Sequence, residues 1–227
     1  MSGRVGLVLL AAGASTRLGR PKQLLDVGGR TLLRHMVETA LESPCRPVAV
    51  VLGYQAERMA RELAGLDVQR VVNADWVTGQ GSSLSEGVQA IQRSASDLAA
   101  VTVMLVDQPA VTARHLTRLV EAFRRGPERM VASSYDGVLG APALFPAGCF
   151  PALLALRGSE GARELLRADP ARVRSVPFQA GSFDVDEPGD ASRLDALNDP
   201  FTSSWSSRPP ARGAGEPGPT GPAPPAR

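Results

Sequence analysis

Lysine is almost missing from this chain. Of its 25 basic side chains, 24 are arginines, and Lys22 is the one ammonium. Cysteine and histidine are equally scarce, with two of each. Cys45 and Cys149 lie far apart and form no C-x-x-C, which excludes a thiolate zinc ribbon and a disulfide framework. Both read as small apolar side chains. His35 and His115 have no His or Cys at ligand spacing, so both read as structural or surface groups. No apolar run is long enough to span a bilayer, and there is no signal-peptide core. The expectation is a cytoplasmic protein without a membrane partner. Net charge is nearly absent too. It is +2 in total, and Arg208, Arg212 and Arg227 against Glu216 supply that excess after Pro200. The preceding 22 basic and 22 acidic side chains balance, which argues against a surface that coats nucleic acid.

What is present begins with a strand. Val5 to Leu10 is a continuous apolar run, the pattern of a strand buried on both faces. From Ala11 to Gly19 the chain turns small and glycine-rich, then carries Arg17 and Lys22. Small residues let the backbone approach a ligand and turn its N–H groups toward it. A strand opening into such a loop suits a polyphosphate. A lone ammonium on a flexible stem can follow a phosphate, where a planar guanidinium favours one geometry. On residue types alone, Lys22 also fits a solvated turn after Pro21. Neither G-x-x-x-x-G-K-[ST] nor G-x-G-x-x-G occurs here, so the loop is neither of the two common phosphate loops.

Farther along, strands and amphipathic helices alternate to about residue 125, which predicts a mostly parallel sheet covered on both faces. Strands are expected at 47–52, 68–72 and 101–106. Helices are expected at 31–43 behind Thr31 as N-cap, at 55–64, at 82–94 and from Thr112. After residue 125 come a strand at 129–134, a turn at 135–137 and an extended stretch at 138–145 that Gly140 and Pro142 interrupt. Short helices follow near 146–156 and 160–168, then a strand at 174–177 and a helix at 188–197. A single α/β domain over 1–199 is expected, followed by a Pro/Gly-rich tail over 200–227 that cannot bury enough surface to order itself. Asp107 closes the strand 101–106 at its carboxyl end, where open α/β sheets hold ligands. An acid there suits a divalent cation or caps the next helix. Ser82 and Ser83 open a helix, as caps or as anion contacts.

The run Leu10-Ala11-Ala12-Gly13-x-Ser15-x-Arg17-x-Gly19-x-Pro21-Lys22-x-Leu24-Leu25 resembles the signature loop of Rossmann-like nucleotidyltransferases. Within them it is most similar to the molybdenum cofactor cytidylyltransferases and their guanylyltransferase relatives. Asn73, Trp76, Gly79, Gln80, Gly81, Ser82, Ser83 and Leu84 match that family's nucleotide-side segment. Asp107-Gln108-Pro109, Gly158 to Arg163 and the acidic Asp184-Val185-Asp186 match further segments. The resemblance spans about residues 4–197. Val106 stands where the family often has Gly, and Glu187 and Gly189 replace its more usual Thr and acid.

The resemblance implies transfer of CMP from CTP onto molybdenum-loaded molybdopterin, with pyrophosphate leaving and Mg²⁺ as cofactor. Lys22, Arg17 and Asp107 are the implied catalytic residues. Leu10, Ala11, Ala12, Gly13, Ser15, Arg17, Gly19, Lys22, Asn73, Gly79, Ser82 and Ser83 would bind nucleotide. Gln108, Gly140 and Arg163 would bind the second substrate, although Arg163 also fits a solvated helix arginine. Asp107 and Asp186 would hold the metal, with Asp184 second to Asp186. A molybdoenzyme or its chaperone is an implied protein partner. Guanylyl transfer, another small phosphorylated acceptor, and a non-catalytic cofactor carrier are the alternatives.

Overall fold

The computed structural model describes residues 3–182 and Val185. The expected helix at 188–197, the tail from 200, and Asp184 and Asp186 lie outside the described residues. In chain order the strands are β1 (Arg4–Ala11), β2 (Asp26–Val27), β3 (Arg30–Thr31), β4 (Val48–Leu52), β5 (Gln69–Val72), β6 (Leu98–Leu105), β7 (Met130–Tyr135), β8 (Val138–Pro146) and β9 (Val173–Pro177). The helices are α1 (Leu32–Glu42), α2 (Ala56–Glu62), α3 (Gln80–Ser94), α4 (Ala113–Arg124), α5 (Phe150–Ala155) and α6 (Ala162–Ala168).

Seven strands form one sheet in the order β5-β4-β1-β6-β8-β7-β9. The first four are parallel. Strand β8 runs antiparallel to both β6 and β7, and β9 returns parallel to β7. This is the mostly parallel, doubly covered sheet expected from the alternation of strands and helices. β1 shows why its sequence reads as one apolar run. Val5, Leu7, Leu9 and Ala11 enter the core under α1, α2 and α4, while Val8 and Leu10 enter the core under α3 and α5. With both faces covered, period-two alternation has no polar side to show. Gly87 lets α3 lie close on β1: a Cβ there would sit 2.5 Å from Val8 Cγ1.

Thr31 and Thr112 cap α1 and α4, accepting hydrogen bonds from the Arg34 and His115 N–H groups at 3.3 and 3.2 Å. Three features differ from expectation. α3 starts at Gln80, so Ser82 and Ser83 lie inside its first turn and neither caps it. The β2–β3 ladder, which turns at Gly28 and Gly29, is too short to show periodicity. Gly140 and Pro142 do not break β8. The ladder instead bulges between Ala132 and Ser133, with Ala141 and Pro142 outside the pairing.

His115 is a core residue at 4 % exposure. Its ring stacks on Phe178 at a centroid distance of 4.2 Å. Ser133 Oγ donates to the Pro142 carbonyl at 2.7 Å, so it accepts from His115 Nε2–H at 2.8 Å. Burial, and then the Arg118 charge, lower the His115 pKa to about 4. The unfolded chain, with an ordinary histidine near pH 6.5, therefore binds a proton that the folded chain refuses between about pH 6.5 and 4. This stability is present above pH 6.5 and drains away as pH falls. Going from pH 7 to pH 5 removes about 2 kcal/mol of it. Urea midpoints at the two pH values measure that loss. A His115→Gln variant, weaker at pH 7, shows a flatter slope.

Candidate active site

The loop leaving β1 is held by its own side chains. Gln23, 1 % exposed, donates both Nε2 hydrogens, to the Ala11 and Gly13 carbonyls, each at 2.8 Å. The Tyr54 N–H takes the Ala12 carbonyl at 2.9 Å. Three successive carbonyls are thus engaged by protein donors. A carbonyl facing a phosphate would repel it, so this arrangement suits an anion. Ser15, at φ 54°, and Gly19, at φ 71°, bound the turn that carries Arg17. Ser15 Oγ accepts from the Lys22 N–H at 3.1 Å, and Leu18 anchors the turn in the core.

Lys22 Nζ lies 3.0 Å from Asp107 Oδ2, and the two side chains are 13 % and 24 % exposed. Asp107 follows β6, beside the carboxyl end of β1. Its Oδ1 is buried and has no hydrogen-bond partner among the described residues. The Asp107 carbonyl accepts from the Val185 N–H at 2.9 Å. Val185 is therefore held against the site residue Asp107.

Behind the opposite wall, Asn73 Nδ2 donates to Ser82 Oγ and Ser83 Oγ at 2.9 and 3.0 Å, while its Oδ1 accepts from the Asp75 N–H. Buried Asn73 thereby clamps the 73–79 turn to the start of α3. Gly79, at φ 128°, touches the 157–161 loop so closely that any Cβ would strike the Gly158 carbonyl. That carbonyl also accepts from the Gly81 N–H at 3.0 Å.

Two adjoining cavities open at this end of the sheet. The larger, about 480 Å³, is lined by Leu10, Ala11, Ala12, Gly13, Ser15, Arg17, Lys22, Gly79, Ser83 and Asp107, all expected site residues. Gly19, Asn73 and Ser82 are not on its wall: Gly19 closes a turn, Asn73 is the clamp, and Ser82 hydroxyl bonds back to the Gly79 carbonyl at 3.0 Å. The smaller, about 240 Å³, brings together Gln108, Gly140 and Arg163. The side-chain atoms left buried without a partner among the described residues are Gln23 Oε1, Asp107 Oδ1 and Gln108 Oε1. All three belong to residues on these two walls. Native folds leave few such atoms, and a cluster of them marks a place where a ligand completes the bonding.

A match to the MobA-like NTP transferase domain family covers residues 7–174. The chain belongs to that family. Among its relatives is the nicotine blue oxidoreductase of Paenarthrobacter nicotinovorans, 39 % identical over 72 % of this chain and 81 % of that protein. The purine catabolism protein PucB of Bacillus subtilis is 32 % identical over 85 % of this chain and 91 % of PucB. Rv0371c of Mycobacterium tuberculosis, solved in complex with manganese, is 28 % identical with a TM-score of 0.69, covering 85 % of this chain and 98 % of Rv0371c.

Within this MobA-like domain, Thr16, Gln23, Trp76, Val77, Gln80, Leu105 and Val106 also line the larger cavity, although none of them is among the site residues expected from the sequence. Trp76 and Gln80 sit inside a recognised motif and were within reach. Gln23 shows as a strut only once the carbonyls it holds are located. The donor set at Asp107 fits a divalent cation, since a half-buried carboxylate with an unpartnered oxygen is a hard-ion ligand. No group of three or more metal-ligating side chains forms among the described residues, and Asp186 lies outside them.

Proposed function

We propose that the protein is a nucleotidyltransferase that moves CMP from CTP onto molybdenum-loaded molybdopterin and releases pyrophosphate. One observation carries the reading: the chain's lone ammonium meets the Asp107 carboxylate at 3.0 Å, at the mouth of a loop whose carbonyls are already engaged. The ion pair and the loop suit a metal–triphosphate unit, and the second cavity suits an acceptor.

Chemically, an acceptor phosphate oxygen attacks the α-phosphorus, and pyrophosphate leaves with the electrons of the broken bond. No protein group needs to form a covalent intermediate. The loop from Ala12 to Gly19, with Arg17, cradles the β- and γ-phosphates. Lys22 neutralises charge near the α-phosphate, where it is worth most in the transition state. Asp107, with Asp186, would hold Mg²⁺. When bound, the ion withdraws charge from the phosphate oxygens. Gln108 and Gly140 flank the acceptor, and Arg163 meets its anionic group. That Rv0371c was solved in complex with manganese supports a divalent-ion reading for this chain. The resemblance in the Asp107-Gln108-Pro109 and Gly158 to Arg163 segments supports the cytidylyl branch.

The test is pyrophosphate release from CTP, GTP, ATP and UTP, each with molybdenum-loaded molybdopterin and Mg²⁺ or Mn²⁺. Release with CTP foremost is expected. Release with GTP foremost moves the protein to the guanylyl branch, and no release with any of the four ends the proposal. The relative named nicotine blue oxidoreductase favours a second reading, a redox reaction on a dye such as nicotine blue. The same preparation assayed with reduced nicotinamide cofactor and such a dye decides between them. The loop after β1 lacks G-x-G-x-x-G, which counts against it.

A further inference from the structure

The two cavities share two wall residues among those described, Gln80 and Leu105. Leu105 has no polar atom to offer. Gln80 is exposed, and no described residue hydrogen-bonds its carboxamide. It is the first residue of α3, so its backbone is fixed by the helix and by the tight Gly79–Gly158 contact behind it. Its side chain runs toward the second cavity. A Cβ placed on Gly161 would lie 2.8 Å from Gln80 Oε1. Gly161 has φ −123°, an ordinary extended value, so backbone strain does not explain a glycine there. The missing side chain leaves room for the carboxamide.

We infer that Gln80 bridges the two substrates. Resting on the transferase reading above, its carboxamide touches the nucleotide on one side and the acceptor on the other, and sets their separation. A carboxamide both donates and accepts, so one side chain can bond two unlike partners. It takes up no proton in the step. Its contribution is placement, and reactions of this kind are sensitive to placement at the ångström level.

The experiment uses the full chain and three variants: Gln80→Ala, Gly161→Ala, and both together. Gly161→Ala displaces the carboxamide without altering Gln80, because the obstructed atom is the far end of a flexible chain. Turnover is read as pyrophosphate release from CTP with molybdenum-loaded molybdopterin. Coupling is read by calorimetry, as the change in affinity for that pterin when α,β-methylene CTP and Mg²⁺ are added. Each single variant is expected to lower kcat at least tenfold while shifting affinity for the CTP analogue alone less than threefold. The double variant is expected to be no worse than Gln80→Ala, because both changes remove one interaction. Coupling present in the parent disappears in all three. Unchanged kcat, a loss confined to nucleotide affinity, or coupling that is absent from the parent or survives in the variants overturns the inference. If the parent releases no pyrophosphate at all, the transferase reading fails, and the coupling measurement still judges Gln80.

Discussion

Lys22→Met lowers pyrophosphate release by roughly a hundred- to a thousandfold, the usual scale for removing one preorganised charge from a transition state. Methionine keeps most of the stem and deletes the ammonium. Two things happen together. The phosphates lose their one lysine, and Asp107 Oδ2 loses its 3.0 Å partner. Lys22→Arg does not restore the rate, because the guanidinium is wider and planar at a position that is only 13 % exposed. Folding changes little. The pair retains some contact with water, and such pairs contribute about 1 kcal/mol or less to stability. A thermal midpoint within a few degrees of the parent, beside a collapsed rate, is the expected result. A rate within threefold of the parent would remove Lys22 from the mechanism.

Asp107→Asn produces a loss of similar size by a different route. The substitution is isosteric, and the Asp107 contact to Val185 runs through the backbone carbonyl, so it survives. What goes is the negative charge. An amide oxygen is a weaker ligand than a carboxylate for a hard cation. Manganese titrated in the presence of CTP is expected to bind roughly tenfold or more weakly, on the scale of a lost charged ligand or its support. Raising the metal concentration recovers part of the rate. For Lys22→Met it recovers none, so the two variants are told apart by metal dependence. Identical metal curves for parent and Asp107→Asn would show that the carboxylate serves the chain and not an ion. Lys22 and Asp107 touch, so their losses are not expected to add in the double variant.

Those two residues stand out in the sequence because each lies in a dense motif, Lys22 in the loop that follows β1 and Asp107 just past the end of β6. The elements were legible for the same local reason. β1, β4 and β6 are near-continuous apolar runs, α1 and α4 carry one apolar stripe each, and Thr31 and Thr112 stand where N-caps belong. Local signals misled at α3. Ser82 and Ser83 look like caps, but the helix begins at Gln80, since Asn73 draws both hydroxyls to itself from across the turn. The β2–β3 ladder has too few residues to show a period. Gly140 and Pro142 read as an interruption in sequence, because a proline lacks the N–H a ladder needs; in the structure Ala141 and Pro142 form a bulge and pairing resumes past it.

By itself the sequence determined that a buried parallel sheet would form, that the chain would turn into an anion-compatible loop after Leu10, that this loop would carry the one ammonium, and that a carboxylate would follow a strand end. Those properties follow from neighbours within a few residues: periodicity, small side chains, caps. Only the tertiary structure decided that β1 lies beside β6, which brings Lys22 and Asp107 into contact across 85 positions of chain. It alone put Gln108, Gly140 and Arg163 on one wall and gave that wall Gln80 in common with the larger cavity. The reason is physical. Strand order and loop contact depend on which apolar faces bury one another over long separations, and no short window of sequence contains that information.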